Sequence, residues 1–178
     1  NDSLKDAVQS IRALKMLGSN ISMPNKTVVH KYLVEVDEAA KLCGAINTVV
    51  NMRDENGQVT GKLKGYNTDG MGYWQGLKEE GIDFKGMKMV LIGTGGAATA
   101  IQVQCALDGA ESISIFNPKD PFFARAESTA EKLSKETPDC KVSVFDLADE
   151  AKLKEEVAKA DILVNATLAG MKPHEDVT

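Results

Sequence analysis

The chain has few of the residues that mark several common protein classes. Among its 178 residues only three are cysteine (Cys43, Cys105 and Cys140), and they form no C-x-x-C pair. An odd, scattered set of this kind excludes a disulfide scaffold and points to reduced thiols in a cytoplasmic setting. The two histidines, His30 and His174, have no ligand-type neighbours in sequence, so no metal is expected. Positive charge is in deficit: 21 Lys and Arg stand against 26 Asp and Glu, for a net charge of −5 and a pI near 5.1. A nucleic-acid partner is therefore not expected. No apolar run approaches the roughly 20 residues of a membrane helix. The first residues carry no signal-peptide pattern, and no repeat or low-complexity segment occurs.

What is present is an ordinary globular composition, 43% hydrophobic and 26% charged. Ser3 with Asp6 reads as a capping box. Leu4, Val8, Ile11, Leu14 and Leu17 follow helical spacing up to Gly18. A short strand is expected over 19–23. Pro24 suits the first turn of a second helix carrying Val28, Val29, Tyr32 and Leu33. Asp37 caps a short helix to Leu42. Ala45 to Asn51 and Gln58 to Leu63 read as a hairpin around the turn Asp54-Glu55-Asn56-Gly57. Thr68 or Asp69 caps a helix to Glu80, with Gly81 just past its end.

From Lys88 the rhythm changes. Strands at 88–92, 112–116, 141–145 and 161–165 alternate with helices at about 96–108, 121–136 and 149–159. Alternation of this kind means a parallel sheet with right-handed crossovers. The fold class is α/β: a smaller N-terminal α/β domain over 1–82, then a Rossmann-type doubly wound parallel-sheet domain over 83–178. Only four strands are readable in the second domain, fewer than the six of a complete dinucleotide fold. Both ends look cut, and both domains are expected to be incomplete. The Glu and Lys run from 150 to 159 reads as a solvated helix face, and the methionines as core filler.

Gly93, Gly95 and Ala98 fit the spacing G-x-G-x-x-G/A between an apolar strand (Met89 to Ile92) and a helix. Gly93 lets the chain turn sharply. Gly95 removes a side chain where a pyrophosphate approaches, and Ala98 permits close packing of helix on strand. The helix N-terminus offers N–H groups and a positive dipole end. A glycine-rich turn without a ligand is the alternative. The second strand ends in Asn117-Pro118-Lys119-Asp120, where such folds meet the adenosine ribose. A carboxylate there accepts from ribose hydroxyls and repels a 2′-phosphate. Asp120 therefore leans toward NAD, while Lys119 leaves NADP open. Asp120 also reads as a helix cap before Pro121, and the two roles are compatible.

Upstream lie three compact polar motifs: Gly18 to Lys26, Gly44-Ala45-Ile46-Asn47-Thr48, and Gly65-Tyr66-Asn67-Thr68-Asp69-Gly70. Taken together they suit a polyhydroxylated small molecule, since each hydroxyl needs a partner once water is excluded. Taken singly, each is also what an ordinary turn looks like.

These motifs, in this order, resemble the shikimate dehydrogenase family, and most of all its quinate/shikimate dehydrogenase branch. Asn20-Ile21-Ser22-Met23-Pro24-Asn25-Lys26 resembles the family's Asn-Val-Thr/Ser-x-Pro-x-Lys. Asn165-Ala166-Thr167 with Gly170-Met171 resembles its Asn-x-Thr…Gly-Met. Asn117 to Asp120, with Phe122-Phe123, resembles the branch's Asn-x-x-Asp-x-Phe-Phe. The resemblance spans essentially the whole chain.

It implies hydride transfer between shikimate or quinate and NAD(P) in the shikimate pathway of aromatic amino acid biosynthesis or in quinate metabolism. Residues 1–82 would bind substrate and 83–178 the cofactor. Lys26 and Asp69 would form the catalytic pair, with Ser22 and Asn47 binding ring hydroxyls beside them. Thr94, Gly95, Gly96 and Ala97 would cradle the pyrophosphate behind Gly93. Asn117, Lys119 and Asp120 would meet the adenosine, and Thr167 and Leu168 the nicotinamide side. A lysine takes or returns the hydroxyl proton. Burial would favour its neutral form and Asp69 its charged form, so the sequence leaves open which of the two holds the proton. A surface salt bridge is the other reading of this pair.

Pro118 replaces the arginine of the NADP-preferring Asn-Arg-Thr, which weakens 2′-phosphate binding and favours NAD. The family's N-terminal strand with its Ser-x-Ser, and its C-terminal part, are not seen here. The oligomeric state stays open, a homodimer among the options. Two other functions compete: a non-catalytic nucleotide-sensing module, and a related two-domain dehydrogenase acting on a folate or amino acid. The first would need neither Lys26 nor Asp69.

Overall fold

A computed structural model of the chain describes residues 3–170. His174 and Met171 lie outside the described residues. By internal contacts the chain divides into two compact units, Asn1–Gly72 and Tyr73–Thr178.

In the first unit, α1 (Leu4–Ala13) buries Leu4, Val8 and Ile11, one face at helical spacing. These pack with Val29, Ala40, Ile46, Val49 and Leu63 in one apolar core. The sheet beneath has the order β1 (Gly18–Asn20), β3 (Thr48–Arg53), β4 (Val59–Tyr66), β2 (Glu35–Val36). Its β1–β3 and β3–β4 pairs are antiparallel, and its β2–β4 pair is parallel. Arg12 ties α1 to this sheet: its Nε donates to the Gly61 carbonyl (3.0 Å) and an Nη to the Tyr32 carbonyl (2.8 Å). Between β2 and β3 lies α2 (Glu38–Cys43), where the Asp37 carboxylate accepts from the Ala40 N–H at 3.0 Å. After β4 comes α3 (Asp69–Glu79).

Several local expectations are corrected. Ser3 makes no side-chain cap on α1, because its backbone is already helical (φ −79°, ψ −10°). That helix stops at Ala13 rather than Gly18. Lys15 takes a positive φ of 51°, which leaves Leu14 and Leu17 exposed. The segment after Pro24 forms two 3₁₀ turns, Asn25–Thr27 and Val29–Tyr32, in place of an α-helix. The β-branched run Thr27-Val28-Val29 supports a regular helix poorly. The strand expected from Ala45 begins at Thr48, because the preceding residues bond elsewhere. The Ile46 N–H donates to the Lys26 carbonyl (2.8 Å), and the Asn47 carbonyl accepts from Ile21 (2.7 Å).

In the second unit, β5 (Lys88–Ile92), β6 (Ser112–Asn117), β7 (Lys141–Asp146) and β8 (Ile162–Asn165) form an all-parallel sheet of order β7-β6-β5-β8. This is the 3-2-1-4 order of a doubly wound dinucleotide fold, with its switch point at the ends of β5 and β8. The crossover helices α4 (Gly96–Leu107) and α5 (Phe123–Glu136) pack on the sheet. The sequence rhythm changes near Gly81–Gly86, whereas the contacts divide at Gly72/Tyr73. Trp74 accounts for part of that interval, since its ring stacks on the buried Phe84 at 4.5 Å.

The crossover helix α6 (Glu150–Val157) is held by polar bonds, for none of its residues is buried. Ser114 Oγ donates to Glu156 (2.7 Å), and Lys152 reaches Glu156 at 2.8 Å while standing 5.2 Å over the Phe145 ring. Hydrogen bonds from Lys152 and then Ser114 pull the Glu156 carboxyl down to about 2. Its contribution is therefore present above the ordinary carboxylate range and lost as pH falls toward 2. The side chain keeps 18% exposure, so screening holds the effect to about 1–2 kcal/mol. Glu156→Gln should lower stability by that amount at pH 7. In denaturation titrations the gap to wild type should close as pH falls from about 5 to about 2.

Candidate active site

In the first unit, one polar cluster is built from three segments that bond to one another. Asn67 Nδ2 donates to the Ala45 carbonyl (3.1 Å), and Asn67 Oδ1 accepts from the Asp69 N–H (3.1 Å). Asn67 thus ties the start of α3 to the segment that leads into β3. The Ile46–Lys26 backbone bond adds the turn carrying Lys26. Within this frame Lys26 Nζ lies 3.1 Å from Asp69 Oδ2. Asn47 Nδ2 donates to Asp69 Oδ1 at 2.6 Å.

The orientation of the Asn47 amide follows from its partners. Its Oδ1 accepts from the Thr68 N–H (3.0 Å) and from Thr48 Oγ1 (3.0 Å). Both donors force the NH₂ group toward Asp69. The two Asp69 oxygens are therefore occupied from different sides, one by an amide and one by an ammonium. Lys26 and Asp69 keep side-chain exposures of 26% and 40%, so a solute can reach them. A reachable lysine, held by one oxygen of a carboxylate whose other oxygen is fixed by an amide, suits proton exchange with a bound hydroxyl. Ser22 stands in the loop before Lys26, where its carbonyl accepts from the Asn25 N–H (2.9 Å). A cavity of about 450 Å³ opens beside Lys26, bordered by His30, Lys41 and Ile46.

In the second unit a second cluster surrounds the end of β5. Gly93 has φ +108°, and a Cβ there would meet the Ala166 carbonyl oxygen at 2.9 Å. Only glycine permits so close an approach of the β5 and β8 ends. Thr94 is buried and donates through Oγ1 to Asn117 Oδ1 (3.1 Å), joining the β5 and β6 ends. Asn117 Nδ2 in turn donates to Asp120 Oδ1 (2.9 Å), which also accepts from the Phe122 N–H (2.9 Å). Asp120 therefore organises the turn before α5, whose first residue is Phe123. The helix expected from Pro121 begins later, because this turn comes first.

Gly95 is the N-cap of α4 and contributes no side-chain cap, so the first amides of the helix keep their donors. Gly95, Gly96 and Ala97 are exposed. Thr167 Oγ1 donates to Asn165 Oδ1 (2.7 Å) and accepts from the Ala169 N–H (3.1 Å), which shapes the turn after β8. A cavity of about 610 Å³ is bordered by Gly93, Thr94, Gly95, Asn117 and Asp120 on one side. Thr167 and Leu168 border the other. Pro118 and Phe122, from the motif at the β6 end, complete an apolar wall with Leu147, which no motif singles out. The Phe122 ring is exposed, a large apolar side chain beside the turn. Lys119 lies outside this lining, and its ammonium is 3.9 Å from Asp146.

Among the described residues no group of three His, Cys, Asp or Glu side chains is assembled in a way that could hold a metal. None of the helices there is long and apolar enough to cross a membrane. The residues present fit a dinucleotide. An open glycine turn meets a helix N-terminus, a carboxylate stands at the second strand end, and an apolar cavity adjoins both.

The chain is similar to known proteins over nearly its whole length. Residues 1–49 match the model of the shikimate dehydrogenase substrate binding domain. A shikimate dehydrogenase (NADP(+)) of Listeria monocytogenes serotype 4b is 53% identical over 175 residues, covering 98% of this chain and 57% of the relative. A quinate/shikimate dehydrogenase of Escherichia coli O139:H28 is 49% identical over 176 residues, 99% of this chain and 58% of the relative. The crystal structure of a shikimate 5-dehydrogenase from Listeria monocytogenes, in complex with shikimate and NAD, superposes with a TM-score of 0.91. It is 52% identical and covers 100% of this chain and 59% of that one. The chain thus spans somewhat more than half the length of the relatives it matches. On this agreement of sequence and fold, the chain belongs to the shikimate dehydrogenase family.

Proposed function

We propose that the protein carrying this chain is an NAD(P)-dependent dehydrogenase acting on the ring hydroxyl of shikimate or quinate. The observation that carries this reading is the Lys26–Asp69–Asn47 arrangement, with both Asp69 oxygens held at 3.1 and 2.6 Å. Residues 1–82 serve as the substrate-binding part and 83–178 as the cofactor-binding part. The protein works in the cytoplasm, a setting in keeping with Cys43, Cys105 and Cys140, which are buried and form no disulfide.

A bound dinucleotide supplies the hydride acceptor or donor for the carbon that bears the hydroxyl. The chain's own residues manage the proton and the positioning. Lys26 Nζ exchanges the hydroxyl proton, Asp69 Oδ2 holds the lysine in place, and Asn47 holds Asp69. Ser22 and Asn47 recognise further ring hydroxyls. Such pairing discriminates strongly, because an analogue lacking a hydroxyl leaves a buried polar group unmatched. In the second unit the α4 N-terminus at Gly95, Gly96 and Ala97 receives the pyrophosphate. Asp120 receives the ribose hydroxyls.

Lys26→Ala and Asp69→Asn should each lower kcat with shikimate or quinate by about 10²–10⁴-fold, with dinucleotide affinity unchanged. Steady-state kinetics on the intact protein and equilibrium binding check this, and full activity in both variants would remove the assigned roles. Gly95 has nothing within 4 Å of a Cβ, unlike Gly93. Gly95→Ala should therefore keep the thermal midpoint yet lose dinucleotide affinity, whereas Gly93→Ala should lower the midpoint itself. Calorimetry with and without NAD separates the two. Asp120, with Pro118 in place of an arginine, favours NAD. A kcat/KM with NADP equal to or above that with NAD would reverse the preference.

A further inference from the structure

Asp146 lies at the end of β7, and no motif singles it out. Strands β6 and β7 are parallel, and Asp146 is the register partner of Asn117, so its carboxylate belongs to the same rim of the sheet as Asp120. The neighbouring Leu147 N–H donates to the Asn117 carbonyl at 3.0 Å, which fixes the two strand ends together. Asp146 Oδ1 accepts from the Ala148 N–H (3.0 Å), so the carboxylate is anchored. Its Oδ2 faces Lys119 Nζ at 3.9 Å. Lys119 is the only basic residue in the segment Asn117–Phe122.

From this arrangement we infer that Asp146 is a positioning residue for cofactor choice: it engages Lys119 and so withholds it from a 2′-phosphate. The inference rests on the dinucleotide reading above. A ribose 2′-hydroxyl needs only an acceptor, and Asp120 supplies one. A 2′-phosphate carries close to two negative charges and needs a free cation. At this rim it meets two carboxylates, Asp120 and Asp146, and one lysine already facing the second of them. Asp146 has a side-chain exposure of 29% and is anchored; Lys119, at 70%, is the more exposed partner. Removing the Asp146 charge frees the lysine without touching the glycine turn or Asp120. Asparagine keeps the acceptor for the Ala148 N–H.

The test is equilibrium binding of NAD and NADP to the intact protein, with Asp146→Asn, Lys119→Ala and the double variant. Asp146→Asn should raise NADP affinity relative to NAD by roughly two- to fivefold, the scale of an exposed ion pair. That gain should vanish in the Lys119→Ala background. An unchanged affinity ratio in Asp146→Asn, with NAD still bound, would overturn the inference and leave the dinucleotide reading standing. An equal gain with and without Lys119 would also overturn it, since Asp146 would then act by its own charge. If the unsubstituted protein bound neither dinucleotide, the dinucleotide reading would fall and this inference with it.

Discussion

The organisation of the second unit depends on one steric limit, the absence of a side chain at Gly93. A Cβ there would sit 2.9 Å from the Ala166 carbonyl oxygen, closer than a carbon and an oxygen tolerate. Because the space is free, the ends of β5 and β8 close on each other, and the Ala166 N–H donates to Ile92 at 2.9 Å. The turn that follows buries Thr94, whose hydroxyl reaches Asn117 on the next strand. Three strand ends and the start of α4 are thereby gathered around one cavity. The backbone amides at its mouth are available because the helix cap, Gly95, has no side chain to occupy them.

The first unit solves a different problem, that of holding a lysine, a carboxylate and an amide together near solvent. Burial cannot do this, since charged groups that reach a substrate must stay accessible. Instead the apolar core, with Val29, Ile46, Val49 and Leu63 nearly or fully buried, joins the polar cluster through Ile46, whose N–H donates to the Lys26 carbonyl and which precedes Asn47. It fixes the backbone segments, and the asparagines do the rest. Asn67 bridges two segments by its side chain, and Asn47 is oriented by donors from Thr48 and Thr68. Each catalytic side chain in the proposed mechanism is thus supported by a residue that further hydrogen bonds hold in place.

Much of the α/β alternation is legible without coordinates. The strands from Lys88 onward are short apolar runs between amphipathic helices, and that pattern has few other solutions. The elements that deviate are those with weak local signals. Leu14 and Leu17 continue the helical spacing of α1, yet the chain turns at Lys15 because β1 must begin at Gly18 to pair with Val50. Pro24 resembles a helix start, but the β-branched residues after it settle into 3₁₀ turns. At the site, the motif residues Lys26, Asn47, Asp69, Gly93 and Asp120 stand out because each belongs to a short motif that contains glycine or proline. Leu147 and Asp146 carry no such mark. They enter the cavity wall or its rim only because β6 and β7 end side by side.

The sequence alone therefore determined the class of fold, the position of the glycine turn and the family, since these rest on periodicity and on linked motifs in order. The tertiary structure decided what the motifs do to one another. Lys26 and Asp69 are 43 positions apart along the chain, and nothing in their spacing says that they meet. They meet because an antiparallel β3–β4 pair and an asparagine bridge return the chain to the same place. The assignment of Lys119 likewise came from geometry. In sequence it is a free cation beside Asp120, whereas in the fold a carboxylate on the adjacent strand faces it. Contacts between distant segments are a property of packing, and no local pattern encodes them.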